Sequence, residues 1–170
     1  MNRQRIHYYL SLGSNLNRRA HLACAIRFLK ATFGSVTCSP VYQSPAYGFT
    51  GPDFYNMVVS FDSAMAPLVL KKWLRQLEYT CGRSQQQTRF SNRFLDMDIL
   101  LAGDVVLKHN TLRLPRPELT KRAYVLKPLF DLVPQLTHPE TGQTMAEIWQ
   151  QLDAAEANTI RLVNSENWFL

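Results

Sequence analysis

No stretch of the chain contains the run of about 18 apolar residues that a membrane-spanning helix needs. The opening MNRQRIHYYLSLGSN has charge but too short an apolar run for a secretory leader. A soluble, cytoplasmic protein is expected. Cysteine is scarce: Cys24, Cys38 and Cys81 are widely spaced, odd in number and form no C-x-x-C pair. That argues against a disulfide framework or a zinc site and fits a reducing compartment. Two phosphate-binding signatures are missing, G-x-x-x-x-G-K-[ST] and G-x-G-x-x-G. A nucleotide, if one binds, is therefore not held by a Walker-type loop. There is no internal repeat, low-complexity tract or linker. The expectation is one domain over 1–170, with 157–170 a C-terminal extension to which the sequence assigns no structure.

What is present is ordinary in bulk and uneven in detail. The 170 residues are 46% hydrophobic and 19% charged, enough for a self-sufficient core. The net charge is +6, and residues 79–127 hold nine Lys or Arg against four acids, an excess of five. A basic surface of this kind suits nucleic acid, acidic membranes or small polyphosphates, and charge alone does not choose.

The coarse pattern alternates. IHYYLSLGSN reads as a strand entering a turn at Gly13-Ser14-Asn15. Helical spacing of Leu22, Ala25, Ile26 and Leu29 follows, up to Gly34. SVTCSPVYQSP predicts a strand broken near Pro40, and YNMVVSFDS predicts another. Pro67 opens a helix that Gly82 ends. Residues 83–93 form a polar loop of a length usually tied to function. FLDMDILLAGDVVL predicts two strands joined as a hairpin at Gly103-Asp104. A short proline-bounded helix, a helix from about Arg122 and a last amphipathic helix in TMAEIWQQLDAA complete the layout. This is an α+β, ferredoxin-like β-α-β-β-α-β sandwich, an antiparallel sheet with helices on both faces.

Within LDMDILL, Asp96 and Asp98 lie two residues apart, so on a strand they share a face while Leu95, Met97 and Ile99 take the other. Parallel carboxylates repel and raise each other's pKa. A divalent cation relieves that conflict, and Mg²⁺ held by carboxylates and substrate phosphates is a common solution. A solvent-facing polar edge would carry the same pair by chance. Here the pair follows Arg83, Arg89 and Arg93, with no acid between Glu78 and Asp96. Guanidinium groups beside a metal site are the equipment of phosphoryl transfer.

The segments YLSLGSNL, SPAYG with FYNMVV, LEYTCGR, RFLDMDILL and LPRPELTKRAYVLKPLFDLVP occur in the order and spacing of 6-hydroxymethyl-7,8-dihydropterin pyrophosphokinases. The resemblance covers about Tyr8 to Trp149. It implies a ferredoxin-like fold, and transfer of pyrophosphate from ATP to the pterin hydroxymethyl group with release of AMP, as a step of folate synthesis. It implies ATP as co-substrate with two Mg²⁺ ions, Asp96 and Asp98 as their ligands, and Arg83 and Arg93 as loop arginines that approach the transferred phosphates. Glu78, Arg116 and Arg122 fall at nucleotide-side positions. Ser44, Pro45, Tyr47, Phe54, Asn56, Phe90 and Tyr124 fall at pterin-side positions, with Tyr124 stacking on the ring. A flat, amide-edged ring wants such a stacking face and a side-chain amide. The resemblance also implies a monomer whose partners are ATP and a pterin, with no nucleic acid and no membrane.

Two departures make this a divergent member. The family's R-W-G-P-R-x-L-D-x-D reads RFSNRFLDMD here, which puts Phe90 where a tryptophan is usual, and its P-H-P reads PRP, which puts Arg116 where a histidine is usual. Three other readings stay open: a paralogue that binds a pterin or nucleotide with altered or lost catalysis, a ferredoxin-like RNA-binding module, and another D-x-D metal enzyme such as a nucleotidyl- or glycosyltransferase.

Overall fold

The structure, a computed structural model, describes residues 4–82, 92 and 94–169. Strand β1 (Ile6–Ser14) leads to helix α1 (Arg18–Phe33), which buries Leu22, Ala25, Ile26 and Leu29 at i, i+3, i+4 and i+7. Gly34, at φ 80°, ends it by donating to the Lys30 carbonyl at 2.9 Å. Short strands β2 (Thr37–Cys38) and β3 (Val41–Ser44) follow, separated at Pro40, which has no N–H to give a ladder. Ser39 closes that gap: its N–H donates to Val58 O, and its Oγ accepts from Val58 N, both at 2.8 Å. Strand β4 (Phe54–Ser63) and helix α2 (Pro67–Thr80) come next, then strand β5 (Asp96–Ala102).

The sheet order is β5-β1-β4-β3, antiparallel throughout, with β2 also pairing β4. This is the ferredoxin-like arrangement, and period-2 alternation divides its side chains between two layers. Tyr8, Leu10, Leu12, Met57, Val59, Phe61, Met97 and Ile99 face α1 and α2 in one continuous core. Each fully buried Leu or Phe there contributes roughly 1.5–3 kcal/mol, and Phe33 stacks on Phe61 at 4.2 Å between ring centres. Tyr9, Val58 and Leu100 face the other way. They meet helix α3 (Ala123–Leu132) and helix α4 (Met145–Gln151), the latter started by a Thr144–Glu147 capping box.

Four expectations change. β1 runs through Ser14, and the turn lies at Asn15–Asn17, where Asn17 takes the left-handed conformation that asparagine tolerates (φ 45°). The hairpin at Gly103-Asp104 does not form: β5 pairs with β1, and the true hairpin joins β6 (Leu107–His109) to β7 (Leu112–Leu114). Apolar runs show that strands exist but not which partner each finds. The last helix breaks at Leu152–Asp153 into α4 and a short α5 (Ala154–Ala157), because Asp153 caps a new start, accepting from Ala155 N and Glu156 N. The expectation of unpaired cysteines is also corrected. Cys24 and Cys81 form a disulfide with Cα atoms 6.2 Å apart, while Cys38 remains a thiol. Chain spacing could not show this, since the pair meets only because α1 and the end of α2 lie side by side.

The tail gains structure as β8 (Arg161–Val163), which adds to β3 at the sheet edge opposite β5. Among the described residues no helix is long and apolar enough to cross a membrane. Tyr8 and Tyr9 are buried under helices, so they offer no exposed stacking face of the kind an RNA-binding sheet uses.

Candidate active site

On the α3 side the apolar layer stops short, and the ends of β1, β4 and β5 open into a cavity of about 590 Å³. One cross-strand row builds its floor. Asp96 lies opposite Gly13, Gly13 opposite Asn56, and Asn56 opposite Tyr42. Directly opposed residues share a face, so the Asp96 carboxylate and the Asn56 amide point into the same space, with Gly13 between them. A Cβ at Gly13 would come within 3.3 Å of Asn56 Oδ1 and 3.6 Å of Phe54. The glycine keeps the floor open there.

One step along β5, Asp98 also lines the cavity, while Met97 between the two aspartates is buried in the opposite core. Asp98 is pushed up to about pKa 6, first by loss of water and then by the Asp96 charge, with Arg116 acting against both. Its side chain keeps 32% exposure, so solvent still reaches it. Arg116 Nη2 lies 3.1 Å from Asp98 Oδ2, and Arg116 Nε lies 3.3 Å from Glu118 Oε2. Arg116 thus bridges two carboxylates. Its backbone is fixed by Arg116 N donating to Leu100 O at 3.0 Å.

The opposite wall is apolar with a polar edge. Ser44, Pro45, Tyr47, Phe54, Asn56 and Tyr124 all line it. Asn56 Nδ2 donates to Ser44 Oγ at 2.9 Å, which orients the amide. Burial pushes the Tyr124 phenol up to about 12, the nearby Arg122 opposing, so it stays neutral and able to donate. Arg122, the residue before α3, stacks over Tyr47 with its guanidinium carbon 3.8 Å from the ring centre.

Of the residues expected from sequence, Asp96, Asp98, Arg116, Arg122 and the six pterin-side residues above meet in this one cavity. Glu78 does not join them. It is buried, its carboxylate accepts from Met97 N at 2.8 Å and pairs with Arg75 at 3.3 Å. It therefore satisfies a backbone N–H on the outer edge of β5. Arg83, Phe90 and Arg93 lie outside the described residues. Gly13, Ser11, Phe49, Glu118 and Lys121 line the cavity without having been singled out. Gly13 had a signal, a residue without a side chain inside a strand, and Lys121 belongs to the basic stretch. Phe49 and Ser11 had none.

The carboxylate pair fits a hard divalent cation: two oxygen donors on one face, one of them raised by burial and then by its neighbour's charge. Among the described residues no group of three or more His, Cys, Asp or Glu is placed to hold a metal.

Comparison with known proteins gives the family. Residues 9–134 match the family of 7,8-dihydro-6-hydroxymethylpterin-pyrophosphokinase (HPPK). A 2-amino-4-hydroxy-6-hydroxymethyldihydropteridine pyrophosphokinase of Haemophilus influenzae is 34% identical, over 84% of this chain and 91% of its own. Its namesake from Pseudomonas aeruginosa is 36% identical, over 82% and 88%. A folic acid synthesis protein of Schizosaccharomyces pombe is 33% identical over 92% of this chain, which spans 21% of that longer protein. A crystal structure of Plasmodium falciparum HPPK-DHPS superposes with a TM-score of 0.71 at 15% identity, over 88% of this chain and 46% of that one, a likeness of fold. The chain belongs to the 7,8-dihydro-6-hydroxymethylpterin pyrophosphokinase family.

Proposed function

We propose that this chain transfers the pyrophosphoryl group of ATP to the hydroxymethyl group of 6-hydroxymethyl-7,8-dihydropterin, releasing AMP. The observation that carries the reading is the row Asp96–Gly13–Asn56, which sets a carboxylate pair and an oriented amide in one cavity. In the reaction a bond forms between the hydroxymethyl oxygen and the β-phosphorus. The bond from that phosphorus to the oxygen bridging it to the α-phosphate breaks, and the hydroxyl proton is released. Asp96 and Asp98 would hold Mg²⁺, which when bound supplies a Lewis acid that neutralises phosphate charge and aligns the oxygens. With two carboxylates on β5 as protein ligands, phosphate and water oxygens would complete the metal's shell, so metal and ATP would bind together.

The pterin side is read from hydrogen bonding and stacking. The Asn56 amide is held by Nδ2 donating to Ser44 Oγ and Tyr42 O, which leaves Oδ1 as the acceptor it offers to an N–H on the amide edge of the ring. Phe54 and Tyr124 supply flat apolar walls. Arg116, Lys121 and Arg122 bring positive charge to the phosphate side. Arg83 and Arg93 are assigned to the transferred phosphates and Phe90 to cover of the ring, on the resemblance alone. A second reading, a binder without catalysis, draws on one observation: the Arg116 guanidinium sits on Asp98, where a cation is required.

The test is the nucleotide product. Incubation of Mg-ATP with and without the pterin should give AMP only with it, matched mole for mole by a pterin diphosphate. ADP as product would sink the reading. Saturable binding of both substrates without AMP would favour the binder.

A further inference from the structure

We infer that Glu156, in the segment beyond the family-matched residues, is a positioning residue that holds Arg122 at the cavity rim. The inference rests on the proposed phosphate-side role of Arg122. Glu156 lies on the four-residue helix α5, whereas the family match ends at residue 134. Its carboxylate nevertheless returns to the site. Oε1 accepts from Ala123 N at 2.9 Å, and Oε2 accepts from Arg122 Nη1 at 3.3 Å. Both side chains are partly shielded, at 26% and 20% exposure.

Three constraints converge on one guanidinium. The Glu156 carboxylate binds one end, the Tyr47 ring covers a face at 3.8 Å, and the Arg122 backbone precedes the first turn of α3. An arginine carries large rotamer freedom, and ordering it before the ligand arrives removes that cost from binding. Glu156 also sits at the N-terminus of the ten-residue α3, where an anion is favoured by the helix dipole and takes up a backbone N–H that otherwise lacks a helical partner. The placement of Glu156 is itself built in, since Asp153 caps α5 by accepting from Ala155 N and Glu156 N at 2.9 and 3.2 Å. Segment 153–156 is thus a brace for the phosphate side of the cavity.

The experiment is a double-mutant cycle on the full chain, read in two ways: the dissociation constant for Mg-ATP and kcat/KM for pterin-dependent AMP release. Glu156→Ala should weaken ATP binding and kcat/KM by about tenfold, but change either by less than about twofold in an Arg122→Ala background, because partners that act as a unit are not additive. Glu156→Gln, which can still accept from Ala123 N, should recover about half of the loss on a logarithmic scale and guards against misfolding of the alanine variant. Equal losses in both backgrounds would mean that Glu156 acts only through the fold and would overturn the inference, as would no loss in either. If the wild-type chain binds ATP yet releases no AMP, the pyrophosphokinase reading fails and the binding cycle still decides the role of Glu156. If it binds no ATP, both fall.

Discussion

The two faces of the sheet are made from the same three strands and do opposite work. Toward α1 and α2, alternate positions are apolar without exception at the centre: Leu10 and Leu12 on β1, Met57 and Val59 on β4, Met97 and Ile99 on β5. Toward α3 the intervening positions begin apolar, with Tyr9, Val58 and Leu100, and then become Ser11, Gly13, Asn56, Asp96 and Asp98. One face is a packed core tied by the Cys24–Cys81 disulfide. The other gives up burial at one end to make room for ligands, and brings two carboxylates together at the expense of stability. The comparison teaches that a site can be cut into a sheet without weakening it throughout, because side-chain alternation keeps the two sets independent.

The largest effect should come from the open face. Asp96→Ala should reduce AMP release by at least about a thousandfold, as expected when a group engaged mainly in the transition state is removed, and leave the thermal midpoint within a few degrees. Turnover assays beside calorimetry check it; a collapse of folding with retained specific activity would merge the two faces and break the comparison. On the closed face, the disulfide spans a sequence separation of 57 residues. Loop-closure entropy makes its loss worth about 4 kcal/mol, so Cys24→Ser should shift chemical denaturation by that amount while kcat per folded molecule stays within about twofold. A variant that loses activity without losing stability would show that the packed face reaches the chemistry.

A subtler change sits at the boundary. Gly13→Ala adds a methyl 3.3 Å from Asn56 Oδ1 on the cavity floor. It should weaken pterin binding by about tenfold and ATP binding by less than about twofold, since the crowding falls on Asn56 and Phe54 and on neither carboxylate. Titration calorimetry with each ligand separately checks the split. Equal weakening of both would place the ring elsewhere in the cavity.

Much of this was legible in the sequence, and the reason is period. Alternation in YYLSLGS and LDMDILL fixes which residues share a face, so the D-x-D pair, the helices and the sheet follow from short-range pattern. The α+β class and the break at Pro40 are of that kind. What escaped depends on neighbours distant in the chain. Glu78 looks like a site carboxylate until β5 is seen to leave Met97 N for it. Cys24 and Cys81 look unrelated until two helices lie together. The β6–β7 hairpin, the strand β8 and the return of Glu156 to Arg122 are pairings, and no local spacing announces a partner. Gly13 is the intermediate case: its oddness in a strand is visible, but its purpose needs Asn56 opposite.

The most direct test of the contrast is Asp98→Asn, with unfolding free energy and turnover measured on the same preparation without added metal for the first and with Mg-ATP for the second. Asp98 in the folded chain is raised to about 6 from an ordinary value near 3.8, so between those pH values the native state holds the extra proton and stability falls as pH rises. Above about pH 6 the full penalty is present, reduced by solvent at a partly exposed group to about 1 kcal/mol. The account predicts that Asp98→Asn is more stable than wild type by about that amount at pH 7, equal to it near pH 4, and devoid of AMP release. A variant that is less stable at pH 7, or that still turns over, would contradict the claim that this face trades stability for chemistry.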